Sequence, residues 1–223
     1  MTRLLVSVRN VIEADAALRG GADIIDIKEP DAGSLGKADN RIISQIISQV
    51  NAQRPVSAAM GELYQNSQIP DDFASLTWLK VGLSKQRDNA WQDKLATFYA
   101  DPKQQAVAVA YADHQRAFAP CVDEVLQWAI DFSAPVFLID TFIKDGKTLL
   151  DHVSVTQLSQ LIRRAQSQNI AIALAGSLCG DVLTQVIELK PDIIAVRGAV
   201  CVNHDRSAGV DEDQVRALKT LVS

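Results

Sequence analysis

Short apolar runs of four to six residues alternate with longer amphipathic stretches from one end of the chain to the other. The apolar runs Leu4–Val8, Asp23–Lys28, Val56–Ala59, Trp78–Val81, Ala106–Tyr111, Val136–Asp140, Ile170–Ala175 and Ile193–Arg197 read as strands. Between them, apolar positions recur at helical spacing over Val11–Arg19, Arg41–Val50, Ala90–Tyr99, Val122–Phe132, Ser154–Ser167, Asp181–Leu189 and Asp211–Leu221. A further short helix is expected at Pro70–Leu76, in the third connection. Strands this short and this apolar suit a parallel sheet buried under helices. Eight strand–helix repeats predict a closed (β/α)8 TIM barrel rather than an open sheet.

The punctuation agrees with this segmentation. Gly20-Gly21 is expected to end the first helix in left-handed backbone. Ser154 with Gln157 has the spacing of a capping box, and Asp181 and Asp211 open helices as caps or first-turn acids. Pro102, Pro120, Pro135 and Pro191 all fall in connections, where an amide donor can be spared. No linker or low-complexity tract interrupts the rhythm, so residues 1–223 read as a single barrel domain.

Composition narrows the function. The 223 residues are 48% hydrophobic, enough for a large core, and carry a net charge of −5. That balance argues against a general nucleic-acid or membrane-surface binder, so an anionic substrate has to be held by a local cationic cluster. Cys121, Cys179 and Cys201 are odd in number and widely spaced, which points to a reducing cytoplasm. The amino terminus lacks a signal-peptide pattern, and no apolar run approaches the ~20 residues of a membrane span. His114, His152 and His204 lack ligand spacing, so no metal is expected.

Strand alternation selects the residues that face the barrel axis. It sends Ile24, Asp26 and Lys28 inward on the second strand and Lys80 on the fourth. Leu138 and Asp140 face inward on the sixth, Ala195 and Arg197 on the eighth. Lys28, Lys80, Asp140 and Arg197 all end even-numbered strands and are expected to share one interior layer.

A lysine ending a strand is ordinarily a solvated surface residue. Two with inward parity point instead to an imine-forming lysine and a proton-transfer lysine, with Asp26 and Asp140 as acid/base partners. Lys144, in the loop Asp140-Thr141-Phe142-Ile143-Lys144-Asp145-Gly146, is within reach of a phosphate or a reacting carbonyl. The turns Gly176-Ser177 and Arg197-Gly198 end strands seven and eight, where barrels commonly bind a substrate phosphate. Ser7, Ser57 and Glu62 read as packing or capping residues. Asp26-Ile27-Lys28-Glu29-Pro30-Asp31 also matches the D-x-K-x-x-D pattern of orotidine-monophosphate-type decarboxylases. Four readings therefore stand at this level. They are an imine-forming lyase, a class I aldolase for another sugar phosphate, a decarboxylase or isomerase using that relay without an imine, and a barrel that binds sugar phosphates without turnover.

Taken together, the motifs resemble the (5-formylfuran-3-yl)methyl phosphate synthase family, also called 4-(hydroxymethyl)-2-furancarboxaldehyde-phosphate synthase. The resemblance rests on Leu4-Leu5-Val6-Ser7 and on Gly20-Gly21 through Glu29-Pro30, followed by Gly33-Ser34-Leu35-Gly36. It continues in Val56-Ser57-Ala58 with Gly61, Lys80-Val81-Gly82-Leu83, Asp140-Thr141 with Lys144-Asp145-Gly146, and Leu174-Ala175-Gly176-Ser177-Leu178. That family supplies the furan ring of methanofuran in methanogens and of a related cofactor in methylotrophic bacteria. The resemblance implies a class I aldolase-like lyase acting on two molecules of glyceraldehyde 3-phosphate, with no metal or organic cofactor. It implies Lys28 as the imine-forming residue, Lys80 as proton acceptor, and Asp26, Asp140 and Lys144 as supporting acid/base and charge-positioning groups. Self-association into a homo-oligomer is expected of such a barrel.

Overall fold

The eight apolar runs all become strands in a computed structural model, which describes residues 1–65, 74–88, 90–100 and 105–223. They are β1 (Arg3–Val8), β2 (Ile24–Ile27), β3 (Val56–Glu62), β4 (Trp78–Gly82), β5 (Ala106–Tyr111), β6 (Val136–Asp140), β7 (Ala171–Leu174) and β8 (Ile193–Val196). Every neighbouring pair is parallel, and β1 pairs with β8 to close the barrel. The expected (β/α)8 architecture is therefore the observed one.

The helices are α1 (Val11–Arg19), α2 (Asn40–Val50), α3 (Trp91–Phe98), α4 (His114–Ala117), α5 (Val122–Phe132), α6 (Val155–Ser167), α7 (Gly180–Glu188) and α8 (Glu212–Val222). Among the α-helices of the described residues, only the single turn of α4 was absent from the sequence pattern, being too short to show a period. The helix expected at Pro70–Leu76 lies mostly outside the described residues, as does Pro102. Among the described residues no helix is long and apolar enough to cross a membrane.

Caps form largely as their sequences require. Ser154 and Gln157 make a reciprocal capping box, and the Asp211 side chain accepts from the Gln214 N–H. Gly21 is left-handed at φ +90, whereas Gly20 stays in the right-handed helical region. Gly20 is needed for a different reason, because a Cβ there would overlap Val215 of α8.

Alternation divides the apolar side chains into two cores. Ile25, Ile27, Leu79, Val81, Phe137 and Ile139 join the large layer between barrel and helices. Leu5, Ile24, Val107, Tyr111, Leu138 and Ala173 fill the barrel interior. The parity read for β2, β4, β6 and β8 is the parity found. β3 runs three residues beyond its predicted end, with a register shift between Ala59 and Glu62. Gly61 permits this bend at φ +84, and its N–H donates to the Leu35 carbonyl of the β2–α2 connection at 2.9 Å.

That connection is tied down at both ends. Glu29 N–H donates to Gly36 O at 2.9 Å, and a Cβ on Gly36 would overlap the Glu29 carbonyl. Leu35 is buried within the barrel mouth, and Ser34 is buried beside it.

Candidate active site

Parallel register places Ser7, Asp26 and Ser57 side by side on β1, β2 and β3. Both serine hydroxyls donate to the Asp26 carboxylate, Ser7 to Oδ2 at 2.8 Å and Ser57 to Oδ1 at 2.6 Å. Lys80, one strand further round, brings its Nζ to 2.5 Å from Asp26 Oδ1. All of these groups are buried. A buried carboxylate needs this many partners to stay in place away from water. Ser7 and Ser57 are thus more than packing residues: they orient the carboxylate that holds Lys80.

Lys28 follows the last residue of β2 and is 8% exposed. Among the described residues it makes no ion pair and no side-chain hydrogen bond. Burial drives its pKa down to about 8. Asp140 and Asp26 oppose that fall, and Lys144 and Lys80 add to it. The two lysines singled out from sequence are therefore unlike. Lys80 is locked to a carboxylate, and Lys28 is the one with a depressed pKa and a free amine.

The third element comes from β6. Asp140 accepts from Lys144 Nζ at 2.7 Å, from the Thr141 N–H at 2.7 Å, and from the Ser34 hydroxyl at 3.2 Å. Burial alone would push the Asp140 pKa up, but Lys144, Lys28 and these hydrogen bonds outweigh it and bring it to about 2. Lys144 also donates to Thr141 Oγ1 at 2.9 Å. The loop that carries Lys144 is held by Asp113, which accepts from the N–H groups of Phe142 and Ile143. Lys144 is turned into the site rather than solvated.

Lys28, Lys80, Asp140 and Arg197 all line one cavity, but their charges have separate partners. Lys80 reaches Asp26, and Arg197 pairs with Glu13 of α1 at 2.8 Å. Its guanidinium also donates to the carbonyls of Ser7, Arg206 and Ala208. With two bonds to Glu13, all five N–H donors are engaged. Arg197 is a structural clamp, and Glu13 is a residue that sequence reading missed.

Gly176, Ser177 and Gly198 do line the cavity with Lys28, Asp140 and Lys144. Gly176, at φ +105, has Thr141 and Leu149 close behind it, and Ser177 is itself left-handed and exposed at the rim. The cavity encloses about 280 Å³ and also takes in His204 and Arg206 from the loop after β8. Arg206 was not singled out from sequence, and His204 was noted there only as lacking metal-ligand spacing.

Two further features bear on the alternatives. Asp31 has a side chain 70% exposed and pairs with Arg9 at 2.9 Å, so the Asp26-Lys28-Asp31 relay does not converge. Glu62 lies outside the lysine cluster and is buried, accepting from the Tyr111 hydroxyl at 2.6 Å and the Ser84 N–H at 2.8 Å. Among the described residues no group of three or more His, Cys, Asp or Glu side chains is arranged to hold a metal ion.

Paired carboxylates and lysines at the carboxyl ends of barrel strands define a (β/α)8 enzyme. The chain belongs to the 4-HFC-P synthase family, whose model matches residues 4–219. It is 34% identical over 230 residues to the (5-formylfuran-3-yl)methyl phosphate synthase of Methanococcus maripaludis strain C5, covering 96% of this chain and 97% of the relative. Against the enzyme of the same name from Methanothermobacter thermautotrophicus the identity is 34% over 234 residues, covering 98% of each chain. Among solved structures, thiamine phosphate pyrophosphorylase from Pyrococcus furiosus is similar with a TM-score of 0.65 at 15% identity, covering 99% of this chain and 95% of that one. A 3-hexulose-6-phosphate synthase is similar with a TM-score of 0.59 at 14% identity, covering all of both chains. At those identities the structural likeness shows the fold alone.

Proposed function

We propose that this enzyme is a carbon–oxygen lyase that condenses two molecules of glyceraldehyde 3-phosphate into (5-formylfuran-3-yl)methyl phosphate, with loss of one phosphate and two molecules of water, through an imine on Lys28. The observation that carries this reading is the contrast among three clustered lysines. Lys80 and Lys144 each hold a buried carboxylate, whereas Lys28 has none and its pKa falls to about 8. A pKa near 8 leaves roughly a tenth of the amine neutral at pH 7, against less than a thousandth for an ordinary lysine. Only the neutral amine attacks a carbonyl.

The neighbours suit the later steps. An iminium on Lys28 acidifies the adjacent carbon and yields an enamine, the nucleophile for the second aldehyde. Lys80, fixed by Asp26, Ser7 and Ser57, is the group for moving protons during isomerisation and dehydration. Asp140 with Lys144 supplies a second proton-handling and charge-balancing pair. The reaction handles two phosphates, one leaving and one retained, and the cationic cluster of Lys28, Lys80 and Lys144 favours the one that leaves. No metal or organic cofactor is required, and the product's furan ring fits a role in methanofuran-type cofactor synthesis.

The test is reductive trapping. Cyanoborohydride added with glyceraldehyde 3-phosphate should leave a stable adduct on Lys28, mapped by mass spectrometry, and none in Lys28→Ala. An adduct found only elsewhere, or full turnover by Lys28→Ala, would sink the proposal.

A further inference from the structure

We propose that Arg206, in the loop between β8 and α8, is the arginine that binds the phosphate monoester retained on the substrate. This inference rests on the synthase reading for the identity of the substrate. Arg197 cannot do the job from its place at the end of β8, because its five donors are already bonded to Glu13, Ser7, Arg206 and Ala208. Arg206 is different. It lines the same cavity as Gly176, Ser177 and His204, and it makes no ion pair among the described residues. Its one side-chain hydrogen bond among those residues is a 3.5 Å contact to the Pro30 carbonyl, at the outer limit for such a bond.

A half-buried guanidinium with no carboxylate against it is an unmet demand for an anion. Burial lowers its pKa, with Asp140 the main opposing influence, and a guanidinium stays protonated in proteins. The backbone beneath it is firmly held. Arg197 donates to the carbonyls of Arg206 at 2.7 Å and Ala208 at 3.2 Å, and Arg9 to that of Ser207 at 3.3 Å. Three successive carbonyls are thus fixed by two arginines, so the backbone that carries Arg206 is in place before any ligand arrives. A guanidinium fork matches a phosphate bidentately, and Ser177 lines the same cavity.

Glycerol 3-phosphate isolates the contact, since it carries the phosphate but no carbonyl for Lys28. Calorimetric titration should show that wild type binds it, that Arg206→Gln binds about 10- to 100-fold more weakly, and that Arg206→Lys falls between. The Arg206→Gln thermal midpoint should stay at the wild-type value, as expected of a side chain with one weak internal contact. Wild-type affinity in Arg206→Gln, or no binding by wild type, overturns the assignment. If Arg206→Gln does not fold, Arg206→Lys carries the test, and wild-type affinity there overturns it. Phosphate binding through Arg206 without furan product from the wild-type enzyme would leave the arginine assignment standing and remove the synthase reading. Furan production together with unchanged binding in Arg206→Gln would do the reverse.

Discussion

Lys80 and Asp26 form a buried ion pair with Nζ 2.5 Å from Oδ1, and two serine hydroxyls fix the carboxylate, Ser57 at the same oxygen and Ser7 at the other. The Lys80 ammonium is thereby held in one position inside the barrel. Asp26→Asn keeps the shape of the carboxylate and removes its charge, leaving the Lys80 ammonium buried without a counter-ion. Turnover should fall about 100-fold or more, while trapping of the imine on Lys28 persists. Turnover within threefold of wild type would show that this pair is not used in proton transfer.

Lys28 provides a pH signature. Its pKa is lowered to about 8, so the neutral amine accumulates as pH rises through that value and is nearly complete about one unit above. The second-order rate of imine trapping should therefore climb roughly tenfold per pH unit below 7 and level off near pH 9. A rate still climbing through pH 10 would mean an ordinary lysine. Mass spectrometry of timed samples at fixed low substrate measures it.

Glu13 and Arg197 set the stability of the mouth. Both are buried, and Glu13 also accepts from the Arg9 N–H at 2.8 Å. Removing one partner strands the other charge in the interior, so Glu13→Gln should cost about 3 kcal/mol in denaturant unfolding. It should also weaken glycerol 3-phosphate binding, because the loop bearing Arg206 hangs from Arg197. The double variant Glu13→Leu with Arg197→Met should recover much of the stability and none of the binding. Unchanged stability in Glu13→Gln would remove the clamp role.

How far the sequence could be read depended on periodicity. Alternation along β2, β4 and β6 placed Asp26, Lys28, Lys80 and Asp140 inside the barrel, and the structure puts them there. Contacts set by strand register were out of reach: Ser7 and Ser57 meet Asp26 only because β1, β2 and β3 align in one row. Arg197 was misjudged for a related reason. Its parity was right, but its partner lies on α1, 184 residues earlier, and no local pattern reports such a pairing. Arg206 sits in an irregular loop, where neither strand nor helical period says which way a side chain turns.

The Glu13–Arg197 link has a consequence for how the molecule assembles. Asp26 finds Ser7 and Ser57 within 31 residues of chain, so that row of the site can be built by the first three strands. The clamp beneath Arg206 requires the two ends of the chain to meet, because β1 must pair with β8 before Arg197 can reach Ser7 and Glu13. Contacts of such long sequence separation are slow to form. During refolding the row of Ser7, Asp26 and Ser57 can form early, whereas the contacts that hold the Arg206 loop appear only as the ring shuts.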